Sequence, residues 1–225
     1  MTDSIDKKNL KRKMHLNLQL ALDYMSLQDS LRIVREVQEY VDWIEAGTPM
    51  ITVEGLRFVK ELKRLFPSKP IVADLKILAG EKFLAEEAFK AGADIITVQA
   101  CADDVTIKRT IEIARKHNKK IMVDFLGLRE KVVERAKEIE KLDPDLIILH
   151  TWVDPHQREL SKQLEKVSKT VKTPIAIAGG INPDNIDTLL EFKPSVVIVG
   201  RGIYGSKNPV LAAKTIKEKM KDSEK

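Results

Sequence analysis

The run Pro70-Ile71-Val72-Ala73-Asp74-Leu75-Lys76-Ile77-Leu78-Ala79-Gly80-Glu81 opens as a buried strand and closes on charge. Ile71, Val72, Ala73 and Leu75 form a short apolar block started by a proline. Asp74 and Lys76 then stand two residues apart, and side chains at i and i+2 of a strand share a face. A simple salt bridge at a strand end would account for this pair taken alone. The rest of the chain ends its strands in the same way, and that repetition decides the fold.

Downstream, a helix through Phe83, Ala88 and Phe89 ends at Ala91-Gly92 and leads into the strand from Asp94 to Gln99. A long helix from about Asp103 to His117 precedes Lys120-Ile121-Met122-Val123, which ends at Asp124. A helix from Glu130 to Leu142 precedes Asp145-Leu146-Ile147-Ile148-Leu149, which ends at His150. A helix from about His156 to Val171 leads to Pro174-Ile175-Ala176-Ile177-Ala178, followed by Gly179-Gly180. A short helix, Pro183 to Phe192, gives way to Ser195-Val196-Val197-Ile198-Val199 and then Gly200-Arg201-Gly202, before a last helix from Pro209 to Met220. Upstream, the alternating strand Leu16–Leu22 ends at Asp23, and Ser26 caps a helix carrying Leu27, Leu31, Val34 and Val37. Tyr40-Val41-Asp42-Trp43-Ile44 is a strand ending at Glu45, and after Gly47-Thr48-Pro49 a helix runs from about Glu54 to Phe66.

Eight strand–helix units in this rhythm predict an α/β protein, a single (β/α)8 TIM barrel. A doubly wound sheet would carry a Gly-rich turn after its first strand, where Asp23-Tyr24-Met25 stands instead. The 225 residues, 43% hydrophobic and 32% charged, suffice for one such core, which takes roughly 200–250 residues. The barrel domain is expected over residues 15–225, behind a polar, basic tail at 1–14 that carries Lys7, Lys8, Lys11, Arg12 and Lys13. A solvated terminus accounts for that tail, and nucleic-acid binding is not expected. No apolar run approaches the length of a membrane span. The single Cys101 suggests a reducing compartment and a cytoplasmic location.

The C-terminal strand ends of such a barrel converge on one mouth. Asp23, Glu45, Asp74, Lys76, Asp124 and His150 would therefore share a cavity. So many ionisable groups at one mouth cost stability unless they are used, which points to an active site. Glycine turns follow strands seven and eight, where barrels most often hold a phosphate. There Gly179, Gly180 and Gly200 would let backbone N–H groups approach the anion, and Arg201 would supply a fork of donors. Glu45 and Asp74, hard oxygen ligands on adjacent strands, suit Mg²⁺ or another hard divalent cation. Lys76 would face a developing oxyanion, and His150 would act as general acid and base. The residues alone leave open aldol chemistry, decarboxylation or isomerisation of a phosphorylated sugar.

The segments Leu20-Ala21-Leu22-Asp23, Ile44–Pro49, Ala73-Asp74-Leu75-Lys76, Val123–Gly127, His150-Thr151, Ala178–Ile181 and Val199-Gly200-Arg201 closely resemble the orotidine 5′-phosphate decarboxylase suprafamily. The likeness is greatest to its 3-hexulose-6-phosphate synthase branch. It implies a homodimer with active sites near the interface and a Mg²⁺-dependent, reversible aldol reaction of ribulose 5-phosphate with formaldehyde. Asp23 and Asp124 would hold substrate hydroxyls. Glu45 stands where orotidylate decarboxylase has a lysine, and Val153 where the related 3-keto-gulonate-6-phosphate decarboxylase has an arginine. The family pattern Asp-x-Lys-x-x-Asp breaks at its third member: Ala79 stands there, with Glu81 two residues on. That substitution leaves a second expectation beside the aldolase, a sugar-phosphate-binding barrel with impaired catalysis.

Overall fold

The computed structural model describes residues 16–128, 131–150 and 157–224, the side chains of 157–163 excepted. The basic tail, Thr151, Val153 and the loop that follows strand six lie outside these residues.

The chain alternates strand and helix as β1 (Asn17–Leu22), α1 (Leu27–Val37), β2 (Trp43–Ala46), α2 (Thr48–Glu54), α3 (Arg57–Leu65), β3 (Ile71–Ile77), α4 (Glu81–Lys90), β4 (Ile95–Gln99), α5 (Asp104–Lys116) and β5 (Lys120–Asp124). It continues as α6 (Val132–Glu140), β6 (Leu146–His150), α7 (Gln157–Thr170), β7 (Ile175–Ala178), α8 (Ile186–Leu190), β8 (Val196–Val199), α9 (Arg201–Tyr204) and α10 (Pro209–Ser223). The strands pair in parallel in sequence order, and β8 closes on β1. This is the (β/α)8 barrel that the repeat predicts.

Both faces of each strand are buried, so the strands read as nearly unbroken apolar runs. On β8, Val196 and Ile198 join Ala21, Trp43, Val72, Ile95 and Met122 inside the barrel, while Val197 and Val199 pack outward against the helices. Helix starts follow local chemistry: Ser26 accepts the Asp29 N–H at 3.0 Å to open α1, and Asn208 accepts the Leu211 N–H at 3.0 Å before Pro209. At the N-terminal end of the barrel, Asp94 binds Lys63 (2.8 Å), Lys119 (2.7 Å) and the Ile71 N–H (3.0 Å), tying neighbouring units together.

Two short helices depart from the sequence reading. Thr48–Glu54 is helical, where the sequence suggests a loop before Glu54, because Pro49 sits in the first turn and Gly47 stands at the cap. Gly55, at φ 65°, then breaks the chain before α3. Arg201–Tyr204 forms a single helical turn directly after β8. Both begin at the mouth and so set the geometry of the site.

Candidate active site

Asp74 and Lys76 do meet, but by a different route from regular alternation. β3 bulges against β4, so that four β3 residues beyond Ala73 stand opposite Thr97 and Val98. Lys76 takes a left-handed φ of 46° and gives its N–H to the Thr97 hydroxyl at 2.9 Å. A non-glycine residue in that region costs about 1–2 kcal/mol, and such strain collects where geometry is used. The Lys76 Nζ is thereby placed 2.9 Å from Asp74 Oδ2 and 2.5 Å from Asp124 Oδ2.

Asp124, fully buried at the end of β5, joins the two halves of the cluster. Its Oδ1 meets His150 Nε2 at 2.7 Å and accepts the Leu126 N–H at 2.8 Å. Lys76, Asp124 and His150 thus form one continuous chain across β3, β5 and β6. Asp74 is held from both sides: the Thr97 hydroxyl donates to Oδ1 at 2.7 Å and the Thr48 hydroxyl to Oδ2 at 2.8 Å.

Burial works against the charge of Lys76, but Asp74 and Asp124 overcome it and raise its pKa above the ordinary lysine value. The side chain is a fixed ammonium, not an amine free to attack a carbonyl. Burial likewise opposes ionisation of Asp124, yet the His150 hydrogen bond and the charges of His150 and Lys76 pull its carboxyl from 3.8 down to about 2. A carboxyl lowered on folding adds stability that is complete above its unfolded value and is lost as pH falls through the folded one. By this linkage ionised Asp124 contributes roughly 2 kcal/mol, lost between about pH 4 and pH 2. An Asp124→Asn variant is expected to lose about 3 kcal/mol at pH 7, with the gap to the parent narrowing across that acid window. Urea titrations at about pH 7, 4 and 2.5 would show it; a gap independent of pH would contradict this account.

Glu45, on β2, is buried, and its Oε2 accepts from Gln19 Nε2 at 2.5 Å. Burial, then the charges of Asp74 and Asp23, push its carboxyl well above the usual range. Burial and Asp74 also raise Asp23, against Lys76 and Arg201. Three carboxylates, Asp23 just beyond β1, Glu45 on β2 and Asp74 on β3, therefore crowd one corner of the mouth. Among the described residues no three acidic, histidine or cysteine side chains are arranged to enclose a metal. The donor set fits an ion that keeps water and substrate oxygens, as Mg²⁺ does. Asp74 already accepts from Thr48, Thr97 and Lys76, so Glu45 is the more open of the two predicted ligands.

The glycine turns stand next to this corner. Gly179 and Gly180 adopt φ of 99° and 64°, a backbone suited to glycine. A β-carbon on Gly202 would lie 2.0 Å from the Ile181 carbonyl oxygen, so the turns after β7 and β8 are packed directly on each other. One on Gly47 would lie 2.1 Å from Asp23 Oδ1, and one on Gly200 would lie 3.3 Å from Oδ2. Bare backbone on both sides is what gives Asp23 its place. Arg201 is exposed at the start of α9. An open groove of about 760 Å³ at the opposite end of the barrel, edged by Lys169, Lys172, Glu191 and Lys193, contains none of these groups.

Every predicted site residue thus reaches the mouth. The sequence reading misses the neutral residues that hold them: Gln19, Thr48 and Thr97. Two of these, Gln19 and Thr97, carry a signal, being polar at inward positions of otherwise apolar strands. Thr48 becomes legible only once α2 is known to begin there.

A closed parallel barrel with its ionisable residues gathered at the C-terminal strand ends is a barrel enzyme. The orotidine 5′-phosphate decarboxylase / HUMPS family model matches residues 16–216, and the chain belongs to that family. It is 41% identical over 206 residues to the 3-hexulose-6-phosphate synthase of Bacillus subtilis, covering 90% of this chain and 98% of that one. The crystal structure of 3-hexulose-6-phosphate synthase from Salmonella typhimurium aligns at a TM-score of 0.85 with 31% identity, over 92% of this chain and all of the other. That of 3-keto-L-gulonate-6-phosphate decarboxylase from Vibrio cholerae aligns at 0.81 with 29% identity, over 92% and 98%.

Proposed function

We propose that the protein is a 3-hexulose-6-phosphate synthase-type lyase, condensing formaldehyde with ribulose 5-phosphate reversibly through an enediolate. The observation that carries this reading is the clasp of Lys76 between Asp74 and Asp124, with His150 on the same carboxylate. It sets a permanent cation and a proton carrier side by side, as enolate chemistry requires.

Glu45 and Asp74 would hold Mg²⁺ or another hard divalent cation. Such an ion, when bound, supplies Lewis-acid polarisation of the sugar carbonyl. The chain's own groups do the rest. In the condensing direction His150 takes the proton from the carbon beside the carbonyl, that carbon bonds to formaldehyde, and the formaldehyde oxygen takes up a proton to become the new hydroxyl; the reverse reaction returns the proton to the carbon. Lys76 faces the oxygen on which negative charge develops, and its protonation is secured by two carboxylates. Asp23 holds a substrate hydroxyl between Gly47 and Gly200. Gly179, Gly180, Gly200 and Arg201 grip the phosphate. The carboxylate oxygens of Asp124 are engaged by Lys76, His150 and the Leu126 N–H, so its part is to orient those groups as much as to bind sugar.

The protein is proposed to act as a homodimer. Leu78 (56% exposed), Phe83 (70%) and Val105 (57%) bring apolar surface to the mouth ends of α4 and α5, where a second subunit would cover it. A monomer in sedimentation at micromolar concentration would overturn this. Cys101 is a free, exposed thiol, which suits the cytoplasm. Among the described residues no helix is long and apolar enough to cross a membrane.

A second reading, a sugar-phosphate-binding barrel with impaired catalysis, is favoured by Ala79. The nearest acid, Glu81, opens α4 and faces Arg109 at 3.5 Å. Formaldehyde consumption with ribulose 5-phosphate, with and without a chelator, separates the two. The synthase reading expects turnover that the chelator abolishes. Protection from heat by the sugar phosphate without turnover would favour the second.

A further inference from the structure

Gln99 lies at the C-terminal end of β4, and the mechanism above leaves it unused. Ile95 of the same strand belongs to the barrel interior, Ile96 and Val98 to the outer core, and the Thr97 hydroxyl reaches Asp74. Alternation therefore turns Gln99 inward, one level above Thr97 and opposite Asp124 in the strand register. The residue is 8% exposed, and its Oε1 is buried without a hydrogen-bond partner among the described residues.

An amide placed there for structure alone would have found a partner within the fold. The neighbouring groups cannot supply one. The Thr97 hydroxyl is engaged with Asp74 and the Lys76 N–H. The Asp124 oxygens are acceptors with no hydrogen to give, and they are engaged with Lys76, His150 and the Leu126 N–H. Gln99 thus carries an unmatched carbonyl oxygen beside polar groups, Thr97 and Asp124, that are already engaged. Its amide both donates and accepts, which matches a hydroxyl rather than an anion.

The closed strand order puts β4 across the barrel from β8. A sugar phosphate held by the β7 and β8 turns would therefore extend its far end toward Gln99. We propose that Gln99 binds substrate directly, its side-chain amide pairing with the hydroxyl of the sugar chain most remote from the phosphate. The inference rests on the sugar-phosphate reading given above and adds a residue that helps set chain length and hydroxylation.

The test is Gln99→Leu, which keeps the bulk and removes the amide, beside Gln99→Asn, which keeps the amide and withdraws it by one carbon. Ribulose 5-phosphate and formaldehyde are varied separately in steady-state assays, and thermal midpoints are taken with and without ribulose 5-phosphate. Both variants are expected to raise KM for ribulose 5-phosphate about tenfold, the worth of one good hydrogen bond. KM for formaldehyde should stay within about twofold of the parent's, since that interaction is untouched. The ligand-free midpoint of Gln99→Leu should be no lower than the parent's, since it buries no unmatched oxygen, while the shift given by ribulose 5-phosphate should shrink. Unchanged sugar kinetics with a lowered midpoint would make Gln99 a structural amide and overturn the inference alone. A change confined to formaldehyde would also overturn it. If Gln99→Leu fails to fold, Gln99→Asn with unaltered KM overturns it. Should the parent bind ribulose 5-phosphate without turnover, loss of the thermal shift in the variants supports the inference and its retention overturns it. A parent that neither turns over nor binds removes the reading beneath it as well.

Discussion

Replacing Lys76 with alanine is expected to lower kcat about a thousand-fold or more, the cost of removing a preorganised positive group from a developing oxyanion. The loss should fall on kcat more than on KM, because the ammonium acts on charge that appears during reaction. Stability should fall too, by about 3 kcal/mol at pH 7, since Asp74 and Asp124 would face each other without the cation between them. Protonating those carboxylates relieves the repulsion, so the stability gap should narrow as pH is lowered. Lys76→Met keeps the stem and guards against a folding artefact. Retention of full activity in either variant would end the proposed mechanism.

The second large effect concerns Glu45, and its signs are opposite for stability and activity. Glu45→Gln removes a buried negative charge that burial, Asp74 and Asp23 all oppose. The new amide also brings a donor beside Gln19, whose Oε1 is buried without a partner among the described residues. The ligand-free variant should therefore gain about 1 kcal/mol at pH 7, as often happens when a strained active-site group is neutralised. A carboxyl raised on folding favours the fold below its unfolded value, and that contribution is lost as pH rises through the folded value. With chelator present, the parent should accordingly weaken relative to the variant from about pH 5 upward. Added Mg²⁺ should stabilise the parent and not the variant, and turnover should drop at least about a hundred-fold. Equal stabilisation of both by Mg²⁺, or a less stable variant, would count against Glu45 as a ligand.

Much of this is legible in the sequence because the barrel repeats one unit, and a repeat is visible without contacts. Acids at the ends of β1, β2, β3 and β5 and the histidine ending β6 follow directly once the strands are placed. What stays hidden depends on backbone detail. Simple alternation pairs Asp74 with Lys76, whereas the chain reaches that pairing through a bulge and a left-handed lysine that no periodicity announces. The α2 helix is hidden behind Gly47-Thr48-Pro49, a signature that serves loops and helix starts equally. Thr97 and Gln99 are polar at inward positions, but their parts emerge only when the partners around them can be counted.

The contact between Gly202 and the Ile181 carbonyl has a consequence for how such barrels diversify. Two loops so closely fitted cannot be exchanged one at a time: a chimera that took only the segment after β7 from a homologue would meet a mismatched neighbour at Gly202. Loop grafting on this scaffold should therefore succeed only when both segments travel together, so that they behave as one heritable module.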